Sequence, residues 1–145
     1  MTVNQILSTK GNEVFSIAST ITVYDAIKVM GEKNIGAILV IEDSVLKGIL
    51  SERDYARKIV LKDKTSKKTF VHEIMASEVI TVGPADDLDY CMNLMSTRRI
   101  RHLPVVENDK VLGIISIGDV VKAIIEKQKE TIEYLDSYIT GTKAS

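Results

Sequence analysis

The sequence predicts an α/β (α+β) fold of two β-α-β-β-α repeats packed as a pseudo-twofold pair, followed by an extended C-terminal helix. Three observations predict it. The phrase Gly-x-x-Ser-x-x-Asp stands at Gly48, Ser51 and Asp54 and again at Gly113, Ser116 and Asp119, each pair 65 positions apart. The same shift carries Val23, Ala26, Ile27 and Met30 onto Leu88, Cys91, Met92 and Met95, both with the i, i+3, i+4, i+7 spacing of one helix face. It also lays Ile35 on Ile100, Val40 on Val105, Glu42 on Glu107 and Ile49 on Ile114 without a gap, which marks an internal duplication.

The elements follow in order. In the first repeat, residues 13–17 read as a short strand, 22–33 as a helix, 37–41 as a buried strand, 42–44 as a turn, 45–50 as another strand and 53–61 as helical. In the second, 79–82, 88–97, 103–106, the turn 107–109 and 111–115 repeat that order before a long helix that starts at Ile117. Repeat 1 is assigned to 1–62, a linker to 63–70, repeat 2 to 71–128, and a helical extension with a tail to 129–145. The linker is polar, has no periodic apolar face and reads as solvated. Val3-Asn4-Gln5-Ile6-Leu7 and Val71-His72-Glu73-Ile74-Met75 stand in matching places before the two repeats, with three extra residues after the first. A lone copy of roughly 55–60 residues is a marginal domain, so two copies packed face to face are expected.

Beyond repeat 2, Val121, Ile125, Ile132, Leu135 and Ile139 form a stripe on the C-terminal helix, with Gln128 in the missing slot and Gly141 as its stop. The stripe packs either on its own domain or on a second subunit, and a homodimer is expected.

Bulk properties point to a soluble cytoplasmic protein. The chain has 145 residues, 45% of them hydrophobic, and a net charge of −1, so it can bury a core and has no basic excess to draw it to nucleic acid. No apolar run approaches the ~18 residues of a membrane span, and the first residues do not read as a charged leader with an apolar core. Cys91 is the single cysteine, which excludes an internal disulfide and fits a reducing compartment.

Ser51 and Ser116 each follow a strand and open a helix. Each hydroxyl can cap free backbone N–H groups while Asp54 or Asp119 reaches back, as in a capping box, and capping alone explains an isolated occurrence. The combination invites more: a glycine that admits a ligand to the backbone, a helix N-terminus that favours an anion, and a carboxylate that can accept from a ribose diol. A phosphorylated ribose satisfies all three.

With Gly48-Ile49-Leu50-Ser51-Glu52-Arg53-Asp54, Gly113-Ile114-Ile115-Ser116-Ile117-Gly118-Asp119 and Ile100-Arg101-His102-Leu103-Pro104-Val105-Val106, the chain resembles a tandem pair of CBS (cystathionine β-synthase) domains, or Bateman module. The resemblance runs from about Val3 to about Ile125 and is nearest to stand-alone CBS pairs. It implies a non-catalytic regulatory module that binds an adenosine compound such as AMP, ADP, ATP, NAD(H) or S-adenosylmethionine between the repeats and signals to a dimer or to a regulated protein partner. By the same resemblance, Asp54 and Asp119 hold ribose, and Ser51, Ser116, Arg53, Arg101 and His102 face phosphate. Ser16, Thr81, Ala26, Cys91, Gly36, Ala37 and Pro104 then bound the adenine pocket. Pro104 also has a structural reading, since it cannot donate to a strand ladder.

The copies differ where it matters. Arg101-His102 of the second repeat is Gly36-Ala37 in the first, and Arg53 has only Gly118 as its counterpart, so the two pockets are expected to be inequivalent. Arg53, Arg101 and His102 are expected to gather around one or two phosphates, with Arg57 on the same helix as Arg53; Arg98, Arg99 and Arg101 also read as a solvated helix end. No nucleotide-loop, nucleophile-elbow or metal-site spacing is present, so neither catalysis nor a metal is expected. A ligand-independent assembly module is the alternative reading.

Overall fold

The computed structural model describes residues 1–140. Its order is α1 (Val3–Lys10), β1 (Ser16–Ile17), α2 (Val23–Lys33), β2 (Ala37–Glu42), β3 (Val45–Ser51), α3 (Glu52–Tyr55), α4 (Val71–Ile74), α5 (Leu88–Arg98), β4 (His102–Glu107), β5 (Lys110–Ser116) and α6 (Ile117–Ile139). α3 runs on into a π-helical turn, Ala56–Val60. The duplication is exact in register. Ala37 pairs with Ser51 and His102 with Ser116, and both hairpins shift at the same place, between Val40 and Ile41 and between Val105 and Val106. Both turn tips, Asp43-Ser44 and Asn108-Asp109, hold φ of 51° and 62°, the two left-handed residues of a tight hairpin, in residue types that tolerate them.

One expected strand is missing. Residues 79–82 contribute only a parallel bridge from Val82 to Val105, whereas β1 pairs at both Ser16–Leu39 and Ile17–Val40. The reason is Pro104, which stands where Leu39 stands in the first copy. Its carbonyl accepts the Val82 N–H at 3.0 Å, but it has no N–H to extend the ladder one step further.

Two cores form, and each borrows its lead-in helix from the other half of the chain. Val3, Ile6 and Leu7 of α1 pack with Val82, Leu88, Cys91, Met95, Leu103 and Val120 of repeat 2. Val71 and Ile74 of α4 pack with Val23, Ala26, Met30, Ile38 and Leu50 of repeat 1. Backbone bonds fix the exchange: Val3 N–H to Asp86 O at 2.8 Å, Val23 N–H to Thr69 O at 2.8 Å and Val71 N–H to Ile21 O at 2.9 Å. The segment read as a solvated linker is therefore partly docked, with Thr69 only 5% exposed, although its lysines remain in solvent.

The motif glycines serve this exchange. A Cβ on Gly48 would lie 2.7 Å from Met75 Sδ and 2.8 Å from the Ala76 carbonyl, and one on Gly113 would lie 2.8 Å from Leu7 Cδ2. These glycines admit the borrowed lead-ins, not a ligand as the sequence reading had it. On α6, Val120 is buried, but Ile132, Leu135 and Ile139 are 65%, 50% and 80% exposed, so the distal stripe does not pack on its own domain. Gly141, the expected stop, lies outside the described residues.

Candidate functional site

The two repeats meet at a cleft of about 400 Å³ that draws on both copies. From repeat 1 come Gly36, Ser51, Arg53 and Asp54; from repeat 2 come Arg101 and His102. Antiparallel pairing builds it, because Ala37 opposite Ser51 and His102 opposite Ser116 put the strand entries beside the starts of α3 and α6. Gly36 stands where the second copy has Arg101, and its missing side chain leaves room for the imidazole of His102, whose Cε1 sits 3.6 Å from where a Gly36 Cβ would be. The same-register difference noted in the sequence thus leaves room on one side and supplies a ring on the other.

Asp54 is the hub of the repeat 1 side. Its Oδ2 accepts the Ser51 N–H at 2.9 Å and the Ser51 hydroxyl at 3.0 Å, while the Ser51 Oγ accepts the Asp54 N–H at 3.2 Å. Oδ1 takes the Lys58 ammonium at 3.1 Å, and Lys58 also donates to the Ile74 carbonyl at 2.8 Å. A carboxylate oxygen has two acceptor directions, so Oδ1 keeps one for a further donor. Arg53 reaches across the repeats, giving Nη1 to the Arg99 carbonyl at 2.8 Å and keeping its other guanidinium donors.

The helix starts offer less to an anion than their sequence suggests. Glu52 N–H goes to Gly36 O at 3.0 Å, Ile117 N–H to Arg101 O at 2.8 Å, and the Asp54 and Asp119 N–H groups go to their own serines at 3.2 Å. Both capping boxes are complete. Ser51 has also spent its hydroxyl proton on Asp54. Anion attraction at this cleft therefore comes from its guanidinium and ammonium groups: Arg53, Arg57, Lys58, Arg99 and Arg101 face only Glu52 and Asp54.

His102 is not one of those cations. Burial holds its pKa below the ordinary 6.5, with Lys10 and Arg101 repelling the charged form and Asp119 pulling the other way. It enters the cleft as a neutral ring at pH 7. On the repeat 2 side, burial pushes the Asp119 carboxyl up, but the Lys10 hydrogen bond, the Ser116 N–H and the Lys10 charge outweigh it and hold the pKa below the ordinary value.

The remaining expected wall residues do not join this cleft. Ala26 and Cys91 are fully buried, one in each core, and burial together with Asp86 and Asp87 pushes the Cys91 thiol up to about 11. Ala37 and Pro104 are buried in β2 and β4, and Ser16 and Thr81 are exposed beside their partner strands. Lys58, Ile49 and Ala76, which also line the cleft, were not anticipated. Lys58 was findable, since it stands one helical turn after Asp54; Ala76 was not, because it arrives through the exchanged lead-in.

No helix among the described residues is long and apolar enough to cross a membrane, and no cluster of three or more His, Cys, Asp or Glu side chains suited to a metal occurs among them.

Fold and cleft together define a duplicated α/β module with a composite, cationic pocket between its halves. The chain belongs to the CBS domain family, whose profile matches residues 3–61 and 71–126. It is 44% identical over 125 residues to the mitochondrial CBS domain-containing protein CBSX3 of Arabidopsis thaliana, covering 83% of this chain and 61% of that relative's length. A solved structure of a protein with CBS domains from Burkholderia ambifaria superposes with a TM-score of 0.85 at 48% identity, over 88% of this chain and 96% of that one. The CBS domain pair of protein MJ0100, solved in complex with 5′-methylthioadenosine and S-adenosyl-L-methionine, is 26% identical with a TM-score of 0.76, over 88% of this chain and 98% of that one. A CBS pair of this kind is a regulatory, ligand-binding module.

Proposed function

We propose that this CBS pair is a non-catalytic sensor of a phosphorylated adenosine compound, of the AMP, ADP, ATP or NAD(H) class, bound in the composite cleft. The observation that carries the proposal is the meeting of Ser51, Arg53 and Asp54 from one repeat with Arg101 and His102 from the other around one cavity. In this reading Asp54 accepts from ribose hydroxyls through the open direction on Oδ1, as acidic residues do in dinucleotide folds. Arg53 and Arg101 hold phosphate, and His102 adds a neutral donor. Asp119 and Ser116 are the corresponding ribose and phosphate groups of the repeat 2 site. The adenosine ligands in the MJ0100 complex support an adenosine moiety, while the cationic surroundings of Asp54 favour phosphate over the sulfonium of S-adenosylmethionine.

Because the ligand touches both repeats, it fixes their relative placement, and α6, which opens at Ser116, carries the change outward to a second subunit or a regulated protein. Such coupling requires unequal affinity for two arrangements of the repeats. The exposed Ile132, Leu135 and Ile139 support a homodimer built on α6. The reading includes a cytoplasmic location, in keeping with a lone buried thiol.

Calorimetric titration of nucleotide-stripped protein with AMP, ATP and NADH tests the reading, with Asp54→Ala beside it. Binding by wild type that falls by on the order of 10–100-fold in Asp54→Ala supports it. An Asp54→Ala variant that binds as wild type does, or no binding of any of the three, sinks it. Assembly is the second reading, favoured by the exposed α6 stripe; Leu135→Lys should then halve the mass in solution without altering nucleotide binding.

A further inference from the structure

Each motif carboxylate holds one ammonium, but from different places. Asp54 takes Lys58, one turn along its own helix, on Oδ1 at 3.1 Å and still lines the open cleft, whereas Asp119 takes Lys10, from α1 at the far end of the sequence, on Oδ2 at 2.7 Å. The same Nζ donates to the Ile114 carbonyl at 2.7 Å. Ile114 corresponds to Ile49, a wall residue of the open cleft whose carbonyl is satisfied at 2.9 Å by the N–H of Ala76. Lys10 thus spans from β5 to the carboxylate across the position that is cavity wall in repeat 1.

The sequence explains the difference. α4 stops at Ile74, which lets Ala76 pair with Ile49. Its partner α1 runs on to Lys10 and ends at Gly11, whose φ of 97° suits glycine and whose N–H closes on Leu7 O at 2.7 Å. The extra helical turn replaces a backbone bridge with a lysine. Val3, Ile6 and Leu7 anchor that helix in the repeat 2 core, so Lys10 is held against Asp119 by the fold itself.

We propose that Lys10 is a built-in occupant of the second site: spanning from the Ile114 carbonyl to Asp119 Oδ2, it takes the place of a ligand's hydroxyl donor there and fills the space that is open in repeat 1, so the chain binds one nucleotide, at Asp54, until Lys10 is displaced. The proposal rests on the adenosine-nucleotide reading above for the identity of the ligand, but not for the closure. Losing one hydrogen bond to a charged group shifts an equilibrium on the order of tenfold, so closure weakens the second site by about that factor. A ligand that enters must lift Lys10, and Gly11 directly behind it leads into repeat 1. Filling the second site therefore pulls on the first.

Titration with AMP and with ATP of wild type, Lys10→Met and Lys10→Arg, each alone and combined with Asp54→Ala or Asp119→Ala, tests this. Wild type and Lys10→Arg should bind one equivalent, lost with Asp54→Ala. Lys10→Met should gain a second, on the order of tenfold tighter than any second event in wild type, and lose it with Asp119→Ala. Two equal sites in wild type, or still one in Lys10→Met, overturns the closure while leaving the Asp54 reading standing. No binding by wild type but one equivalent in Lys10→Met, lost with Asp119→Ala, upholds the closure and overturns the Asp54 reading. No binding in any variant overturns both. Lys10 lies at a surface helix end with its side chain 36% exposed, so Lys10→Met keeps the fold, which a melting curve with Lys10→Gln beside it verifies.

Discussion

At the scale of single residues, the motif glycines and His102 carry most of the explanation. A methyl at Gly48 meets the Ala76 backbone carbonyl at 2.8 Å, which cannot give, whereas one at Gly113 meets the end of the flexible Leu7 side chain. Gly48→Ala should therefore cost about 1–3 kcal/mol and Gly113→Ala distinctly less, as read by urea unfolding; equal costs would contradict the exchanged packing. His102 is held neutral by burial, Lys10 and Arg101 against Asp119. Its folded pKa lies below its unfolded value of 6.5, so its contribution to stability is full above 6.5 and is lost as the pH falls toward the folded pKa. In the proposed complex a phosphate beside His102 would raise that pKa, so the ring, neutral at pH 7, would take up a proton on binding as the pH falls. Affinity should rise between pH 7.5 and 5.5, and His102→Gln should remove that rise in titrations at the two values. The sequence displayed Ser51, Arg53, Asp54, Arg101 and His102 because a repeated motif and its register mark them. It could not display Lys10, whose partner is 109 positions away and whose role depends on how far one helix runs.

At the scale of elements, the duplication was legible because hydrophobic periodicity and turn chemistry agree, as they do in both hairpins. The lost strand before α5 was not, since it turns on one absent N–H at Pro104. The ends of α2 and α5 show another asymmetry. Each closes on a left-handed residue, Asn34 with φ 55° in the first copy and Arg99 with φ 54° in the second. Asn tolerates that conformation, and a long side chain costs on the order of 1 kcal/mol there. Arg99→Asn should raise the melting temperature, and it should leave the Arg53 bond intact because Arg53 binds the backbone carbonyl. A fall in melting temperature would show that the Arg99 side chain repays its strain through the cleft. The thiol of Cys91, raised to about 11 on the buried face of α5, should resist alkylation at pH 8 until the protein unfolds; labelling as fast as a free thiol would place it elsewhere.

At the scale of the whole molecule, the exchange of lead-ins decides how the halves depend on each other. Matching positions in the sequence suggested that each lead-in belongs to the repeat it precedes, and both carry the same apolar pattern. Only tertiary packing says which core each one fills. Deleting residues 1–10 removes Val3, Ile6 and Leu7, each worth about 1.5–3 kcal/mol of burial, so repeat 2 should lose on the order of 5 kcal/mol or more. Amides of α5 and β5 should then exchange rapidly while those of α2 and β3 stay protected, and uniform loss would argue against two cores. Topologically, the core of repeat 1 is one unbroken stretch, from Val23 to Ile74, nested inside a core of repeat 2 that opens with α1 and closes with α6. On the ribosome the inner unit is complete as soon as α4 has emerged. α1 must wait for α6, holding Val3, Ile6 and Leu7 uncovered for the seconds that repeat 2 takes to be translated. Val3, Ile6 and Leu7, made before the core they fill, are thus among the last side chains to find their place, and α1 is where a nascent-chain chaperone has much to shield.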